Sequence, residues 1–279
     1  MDEAQTAANL KAIGKAAHYH DGVWWQQVAP GFCKPVDVLR TFAPGSARPT
    51  FSRRWLGYSH VVPDDAPSNH AWNVMYLEGE GLQSFDLTRV SPKRKQQKIK
   101  QAIKTLDIRL IEEIEPLLPA MNEINAVMAR RTGHGHSPEY YSRQRAEWER
   151  FMIREFSLPG REWWGAFHEA RLVAYYYAYV VARTLHISAA KSHTDFLRLG
   201  PNDGLVFTLL HHHAQAGDCD RVIYGDWSPE VPTLNEFKEC YGFRQRSLPI
   251  FRAMTPIMRL ARRWKNRRSV EPTQEKSGT

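Results

Sequence analysis

At 279 residues the chain has room for one large or two small domains, and it can bury a core without disulfide or metal staples. Three irregularly spaced cysteines, Cys33, Cys219 and Cys240, exclude a disulfide framework and favour a reducing compartment, so a cytoplasmic protein is expected. The formal charge of +8 gathers in Lys93-Arg94-Lys95 with Lys98, Lys100 and Lys104 and in the tail from Arg252 to Arg268, which argues against nucleic-acid binding by the whole chain. The acidic Met1-Asp2-Glu3-Ala4-Gln5 does not read as a secretory leader, and no apolar run approaches the length of a membrane span.

In chain order, residues Thr6 to Ala17 read as a short peripheral helix, and the aromatic stretch around Trp24, Trp25 and Pro30 as loop with strand pieces. Val36 to Phe42 alternates as a strand would until Ala43-Pro44-Gly45 ends it, and Phe51 to Val62 and Trp72 to Leu77 are further strands. Strands without intervening helices predict an antiparallel region. Ser91 as N-cap with Pro92 at the first helical position predicts a strongly basic helix over Lys93 to Thr105, with Ile99, Ala102 and Ile103 as its apolar stripe. Its charges read as a solvated face or as ligand contacts.

Ile108 to Ile111 reads as a strand, followed by a helix from Pro116 or Pro119 to Arg131 and a second one to Phe156. Aromatic and β-branched runs at Trp163 to His168, Arg171 to Val181 and Ile187 to Phe196, broken by turn signals, predict an antiparallel meander. Alternation puts Tyr175, Tyr177 and Tyr179 on one face and Tyr176 on the other. Then come the loop Leu199-Gly200-Pro201-Asn202-Asp203-Gly204, a helix over Leu205 to Ala216, the strand Val222-Ile223-Tyr224, another helix and a last apolar run to Phe251. From Ala253 onward apolar residues alternate with arginines in a basic amphipathic segment, which suits either an anionic membrane surface or a solvated docked helix.

The order strand, helix, helix, meander, helix, strand, helix, strand, together with Asn235, Phe237-Lys238 and Gly242-Phe243, resembles the GNAT acyltransferase superfamily, in particular its FemAB-like, peptidoglycan bridge-forming branch. The resemblance implies an α/β (α+β) fold with a mixed, mostly antiparallel sheet flanked by helices. It also implies a reduced, GNAT-like accessory subdomain at residues 1–106, the transferase core at 107–251 and a basic tail at 252–279. The activity implied is N-acyl transfer by direct displacement, from acyl-CoA, an acyl carrier protein or aminoacyl-tRNA to a small-molecule amine. Two neighbouring strands would splay to admit the donor arm. We expect them to be the pair ending near Val181 and Phe196.

The resemblance further implies that the helix-opening loop meets the donor, through Leu199, Gly200, Asn202 and Gly204, with Lys238 nearby. This loop departs from the usual glutamine-or-arginine, glycine pattern of acetyl-CoA enzymes. Asp203, expected as N-cap, would repel a diphosphate there. His193 is a candidate general base or a strand-end histidine bonded to backbone, Asp226 a carboxylate that orients an amine or makes a turn, and Tyr241 the acid that reprotonates a thiolate. No metal is expected: His211-His212-His213 point apart on a helix, and His134 and His136 lack partners at zinc spacing. The rival reading is a non-catalytic GNAT domain that binds an anionic membrane or RNA through its basic helix and tail.

Overall fold

The computed structural model describes residues 1–49, 56–133, 136–256 and 258. By contacts the chain divides into two compact units, one formed by Met1–Gly14 with Trp72–Ser247, the other by Lys15–Ala71 with the chain from Leu248 on. Helix α1 (Glu3–Ala12) begins where the Asp2 carboxylate caps the Gln5 N–H. It ends earlier than the composition predicts, and Ala17 already belongs to a strand. Strands β1 (Ala17–His20), β2 (Val23–Ala29), β3 (Phe32–Pro35) and β4 (Gly57–Val61) follow, so Trp24 and Trp25 lie in one regular strand and Pro30 in the turn after it. The strand expected at Val36 to Phe42 is absent: the Asp37 carboxylate accepts the Leu39 N–H, folding that stretch into a turn that leaves a single bridge at Thr41.

Next come β5 (His70–Glu78), α2 (Glu80–Gln83), α3 (Lys93–Thr105), β6 (Asp107–Leu110), α4 (Leu118–Thr132), α5 (Pro138–Arg143) and α6 (Arg145–Phe156). They are followed by β7 (Arg161–His168), β8 (Arg171–Val181), β9 (Thr184–Ser192), α7 (Pro201–Ala216), β10 (Arg221–Asp226), α8 (Pro232–Glu239) and β11 (Arg244–Met254). Helix α3 has the predicted span, but its N-cap is Pro92, with no side-chain capping bond. The Ser91 N–H bonds instead to the Cys240 carbonyl.

In the first unit the strands run β5-β10-β9-β8-β7-β6. Only β9 and β10 pair in parallel there, so the sheet is mostly antiparallel, as expected. Strands β7, β8 and β9 are joined by two-residue turns, Glu169-Ala170 and Ala182-Arg183, all four residues having positive φ. That matches the twist of tight hairpins and locks these neighbours in register. Residue alternation splits the core between the two faces. Trp164, Ala166, Ala174 and Tyr176 pack with α3 and α7, while Trp163, Phe167 and Tyr175 pack with α4 to α6. Gly204 lies where α7 meets α3 and β6: a Cβ there would stand 2.3 Å from Ile108 Cδ1.

In the second unit the order is β1-β2-β3-β4-β11, with β4 pairing antiparallel to the last residues of β11 from Val61↔Ile250 to Gly57↔Met254. Its core gathers Val23, Trp25, Cys33 and Tyr58. The amphipathic segment expected past Ala253 lies outside the described residues from 259 on, as do His134 and the first part of the strand predicted at Phe51. Among the described residues no helix is long and apolar enough to cross a membrane.

Candidate functional site

Strands β8 and β9 do not part. They pair from Ala174↔Ser192 to Val181↔Thr184, and the His193 N–H still reaches the Val173 carbonyl beyond them. The parting lies one strand further on. The parallel ladder between β9 and β10 holds three pairs, Thr184↔Arg221, Leu185↔Val222 and His186↔Ile223, then stops, although β9 continues to Ser192 and β10 to Asp226. The cause is connectivity. A two-residue turn clamps β8 to β9, whereas β10 returns through α7 and is drawn aside by an irregularity between Ile223 and Asp226, where Gly225 has φ +69°.

Helix α7 opens at this gap, and its first turn is held by side chains. Gly200 is the N-cap in the left-handed region at φ +70°, and Leu199 ends the 3-10 turn before it. Asp203 is not the cap but the third residue of the helix. Its Oδ1 accepts from Lys95 Nζ at 2.6 Å and from the Tyr241 hydroxyl at 2.8 Å. The carboxylate that seemed set to repel a diphosphate is thus neutralised by a lysine of α3. Asn202 Oδ1 accepts from the Tyr176 hydroxyl at 3.2 Å and from Ser192 Oγ, and Tyr176 and Tyr224 share a hydroxyl contact at 3.0 Å. This network ties β8, β9, β10 and α7 together beside the gap. Burial, together with Tyr224 and Asp203 nearby, pushes the Tyr176 phenol well above its ordinary range. Burial and Asp203 do the same for Tyr241, so both hydroxyls keep their protons.

The end of β10 carries a second cluster. Lys238, 3% exposed, donates from Nζ to the Asp226 carbonyl at 3.3 Å and lies 5.0 Å from the Tyr224 ring. Burial pushes its amine down to about 8, with Asp226 acting in the opposite sense. The Asp226 carboxylate accepts from Trp72 Nε1 at 2.8 Å. The structure therefore brings Lys238 beside Asp226 and Tyr241 beside Asp203, and sets the Phe237 and Tyr241 rings 5.3 Å apart, tilted by 55°.

His193 is set apart from these groups. It caps the 3-10 turn by accepting the Asp195 N–H, and its Nε2 lies 3.4 Å from Glu123 Oε1 of α4, on the other face of the sheet. Glu123 in turn binds Arg171 through both carboxylate oxygens.

On that α4 face, beside the stretch of β9 that has left β10, a cavity of about 420 Å³ opens. Trp163, Tyr175 and Tyr177 line it from the sheet, Asn125 and Tyr141 from the helices, and Ser188 and Lys191 from β9. Asn125 Nδ2 donates to the Tyr175 hydroxyl at 2.5 Å. Burial alone lowers the Lys191 amine below the usual lysine range. These residues are missing from the site that the sequence suggests, where alternation only divides the tyrosine run between the two faces. Lys95, one of the charges that read as a solvated face or as ligand contacts, instead pairs within the chain, and its spacing to Ile99 and Ala102 places all three on one helix face.

At the far end of α7, His213 is fully buried. Its Nδ1 is 2.9 Å from Asp218 Oδ1, and its Nε2 is 3.4 Å from Glu162 Oε2, an ion-pair contact without hydrogen-bond alignment. His213, Asp218 and Cys219 form the cluster among the described residues that could hold a metal ion, with one ligand atom from each within 4.8 Å of the others. Burial pushes the Cys219 thiol up to about 12, and the imidazole is already engaged by carboxylates, so the groups suit an internal ion pair better than a metal. Burial would lower the His213 pKa, but Glu162 and Asp218 outweigh it and raise it. The pair's stabilisation is then complete below the unfolded value of about 6.5 and lost as pH rises through the higher folded value. Urea unfolding should show wild type exceeding His213→Gln by more at about pH 6 than at about pH 9; a difference independent of pH would refute this assignment.

This fold, in which the parallel pair β9–β10 of the first unit parts beside a helix N-terminus, is GNAT-like in its FemAB-like form. No family model matches the chain, and no curated protein sequence matches it. Among solved structures, it is similar to FemX (10% identity, TM-score 0.60, covering 92% of each chain). It is also similar to the C-terminal domain (DUF2156) of a protein named as a lysylphosphatidylglycerol synthetase from Agrobacterium fabrum (11%, TM-score 0.58, 94% of this chain and 91% of that one). L-PGS from Bacillus licheniformis matches at 12% identity and a TM-score of 0.52, over 95% of this chain and 93% of that one. At such identities the likeness is one of fold.

Proposed function

We propose that the protein is an acyltransferase, moving an acyl or aminoacyl group from an activated donor, a thioester or an aminoacyl-tRNA, to an amine by direct displacement. The observation that carries this reading is the three-pair ladder between β9 and β10, which leaves backbone groups of residues 187–192 facing a gap beside the first turn of α7. The likeness to FemX and L-PGS supports it at the level of fold. In this reading residues 107–251 carry the chemistry, residues 1–106 are accessory and the tail from 252 is a contact segment. The donor lies along β9, with Leu199, Gly200, Asn202 and Gly204 at its polar end.

Lys238, whose amine burial lowers to about 8 and which is still mostly protonated at pH 7, meets the developing negative charge, while the Asp226 carbonyl orients it. Tyr241 acts through Asp203, whose carboxylate it holds. His193 remains the candidate to take the proton of an acceptor amine in this reading, which requires its Nδ1 to release the Asp195 N–H or its Nε2 to turn from Glu123. None of the three cysteines serves as nucleophile: burial holds the Cys33 thiol far up and pushes Cys219 to about 12, and Cys240 sits at the end of α8.

The test is donor-dependent thermal stabilisation, with acetyl-CoA, long-chain acyl-CoA, acyl carrier protein and aminoacyl-tRNA offered in turn. One donor should raise the melting temperature, since a ligand at about 100 times its Kd stabilises by about 2.7 kcal/mol. Gly200→Val should abolish that shift. The replacement places a β-branched residue at φ +70° at an estimated structural cost of about 1–2 kcal/mol, which separates it from simple unfolding. No shift with any donor would overturn the reading. Salt-sensitive binding to anionic vesicles would then favour the non-catalytic alternative, for which the filled first turn of α7 speaks.

A further inference from the structure

The cavity on the α4 face has two hydrogen-bond donors without acceptors. Lys191 lines the cavity half-buried, and its Nζ has neither an ion-pair nor a hydrogen-bond partner among the described residues. Trp163 is 2% exposed, and its indole N–H is buried without an acceptor among the described residues. A half-buried ammonium without a counter-ion, with Arg154 as a second cation and Glu147 as the carboxylate on the same lining, makes the site complementary to a group that supplies oxygen acceptors and a negative charge, and the unmatched indole N–H in the wall adds a donor.

The walls specify the rest of the ligand. Trp163 lies nearly parallel to Tyr177 (4.7 Å between centroids, 28° between planes) and to Tyr175 (6.1 Å, 23°). His136 stacks on Tyr140 at 3.9 Å, with Tyr140 among the lining residues. Faces of this kind accept a flat ring by offset stacking or edge contact better than a branched aliphatic group. A volume of about 420 Å³ admits one ring system with a short polar arm.

We infer that this cavity binds a small aromatic carboxylate, with the ring against Trp163, Tyr175 and Tyr177 and the carboxylate on Lys191. Residues 188–191 of β9 wall the cavity and belong to the stretch that has left β10. A ligand seated there is therefore held against the same strand that borders the donor gap. As the acceptor site, naming an amine of the aromatic amino acid class, the inference rests on the transferase reading; as a binding site it does not.

The experiment measures binding alone, by calorimetry on the full chain, with N-acetyl-L-tryptophan and its neutral amide. The two probes share a ring and differ by one charge. Wild type should bind the acid about tenfold more tightly than the amide, the effect of one charge-assisted contact. Lys191→Met keeps the aliphatic stem and should bring the acid down to the affinity of the amide. Lys191→Gln, which keeps a donor without the charge, should fall between the two. N-acetyl-L-leucine should bind the wild type more weakly than the tryptophan acid does. Equal affinity of wild type for acid and amide, absence of binding by either, or a Lys191→Met protein that binds the acid as wild type does would overturn the inference. None of these outcomes depends on a donor, so a failure here is distinguishable from a failure of the transferase assay.

Discussion

Asp203→Ala is expected to cost about 3–5 kcal/mol of folding stability, the loss typical of removing one partner from a buried ion pair. The side chains of Lys95 and Asp203 are 14% and 12% exposed, and their atoms meet at 2.6 Å. Without the carboxylate, Lys95 would be left with the Phe237 and Tyr241 rings, 4.5 and 5.8 Å from its Nζ, and no counter-charge among the described residues. The Tyr241 hydroxyl would keep only a 3.2 Å contact to the Asp203 carbonyl. The first turn of α7 would also lose an acidic residue where the helix dipole favours one. Urea unfolding measures the loss. A second substitution, Lys95→Met in the Asp203→Ala background, should recover part of it by removing the stranded charge. A cost under about 1 kcal/mol for Asp203→Ala would mean that the pair is solvated and does not hold α7 to α3.

Trp163→Ala should be comparably severe, at about 3–5 kcal/mol, because it deletes a fully enclosed ring from a core that has little freedom to collapse. Trp163 stacks on Tyr175 and Tyr177 and is in contact with Phe156, 6.1 Å away at 52°, so three rings lose a neighbour together. It also lines the existing cavity, which would widen rather than close. Trp163→Phe keeps most of the stack and should cost far less, which separates packing from loss of the indole N–H. A thermal unfolding scan in which the alanine and phenylalanine variants melt together would refute this account.

The elements themselves were legible wherever one face of a helix or strand is written in the local sequence. Helix α3 runs over Lys93–Thr105 and β8 over Arg171–Val181, as the periodicity predicts. The split of Tyr175 from Tyr176 across the sheet follows from alternation alone. The same signal misled at Val36 to Phe42, because alternating apolar residues also suit a turn closed by Asp37. Lys95 was legible in principle from its register with Ile99 and Ala102, but a cluster of basic residues hides one buried member among solvated ones.

The site was legible in part. The stretch around Asp226, Lys238 and Tyr241 was singled out, and the fold does gather these residues near the ends of β10 and α8. His193, readable from sequence as a general base or as a strand-end histidine bonded to backbone, accepts the Asp195 N–H and faces α4, since at a strand end the side one residue takes is fixed by the register of the whole strand.

The amino-acid sequence by itself determined the identity and order of most elements, the mostly antiparallel sheet and the two faces of its strands, because these follow from interactions among residues a few positions apart. Only the tertiary structure decided which strands part, what neutralises Asp203 and where an aromatic cavity remains open beneath α4 to α6. Each of these depends on groups distant in the chain: Lys95 and Asp203 are 108 residues apart, and β9 meets β10 only after α7 has intervened. Contacts of that range are set by the packing of the whole unit, and no local pattern encodes them.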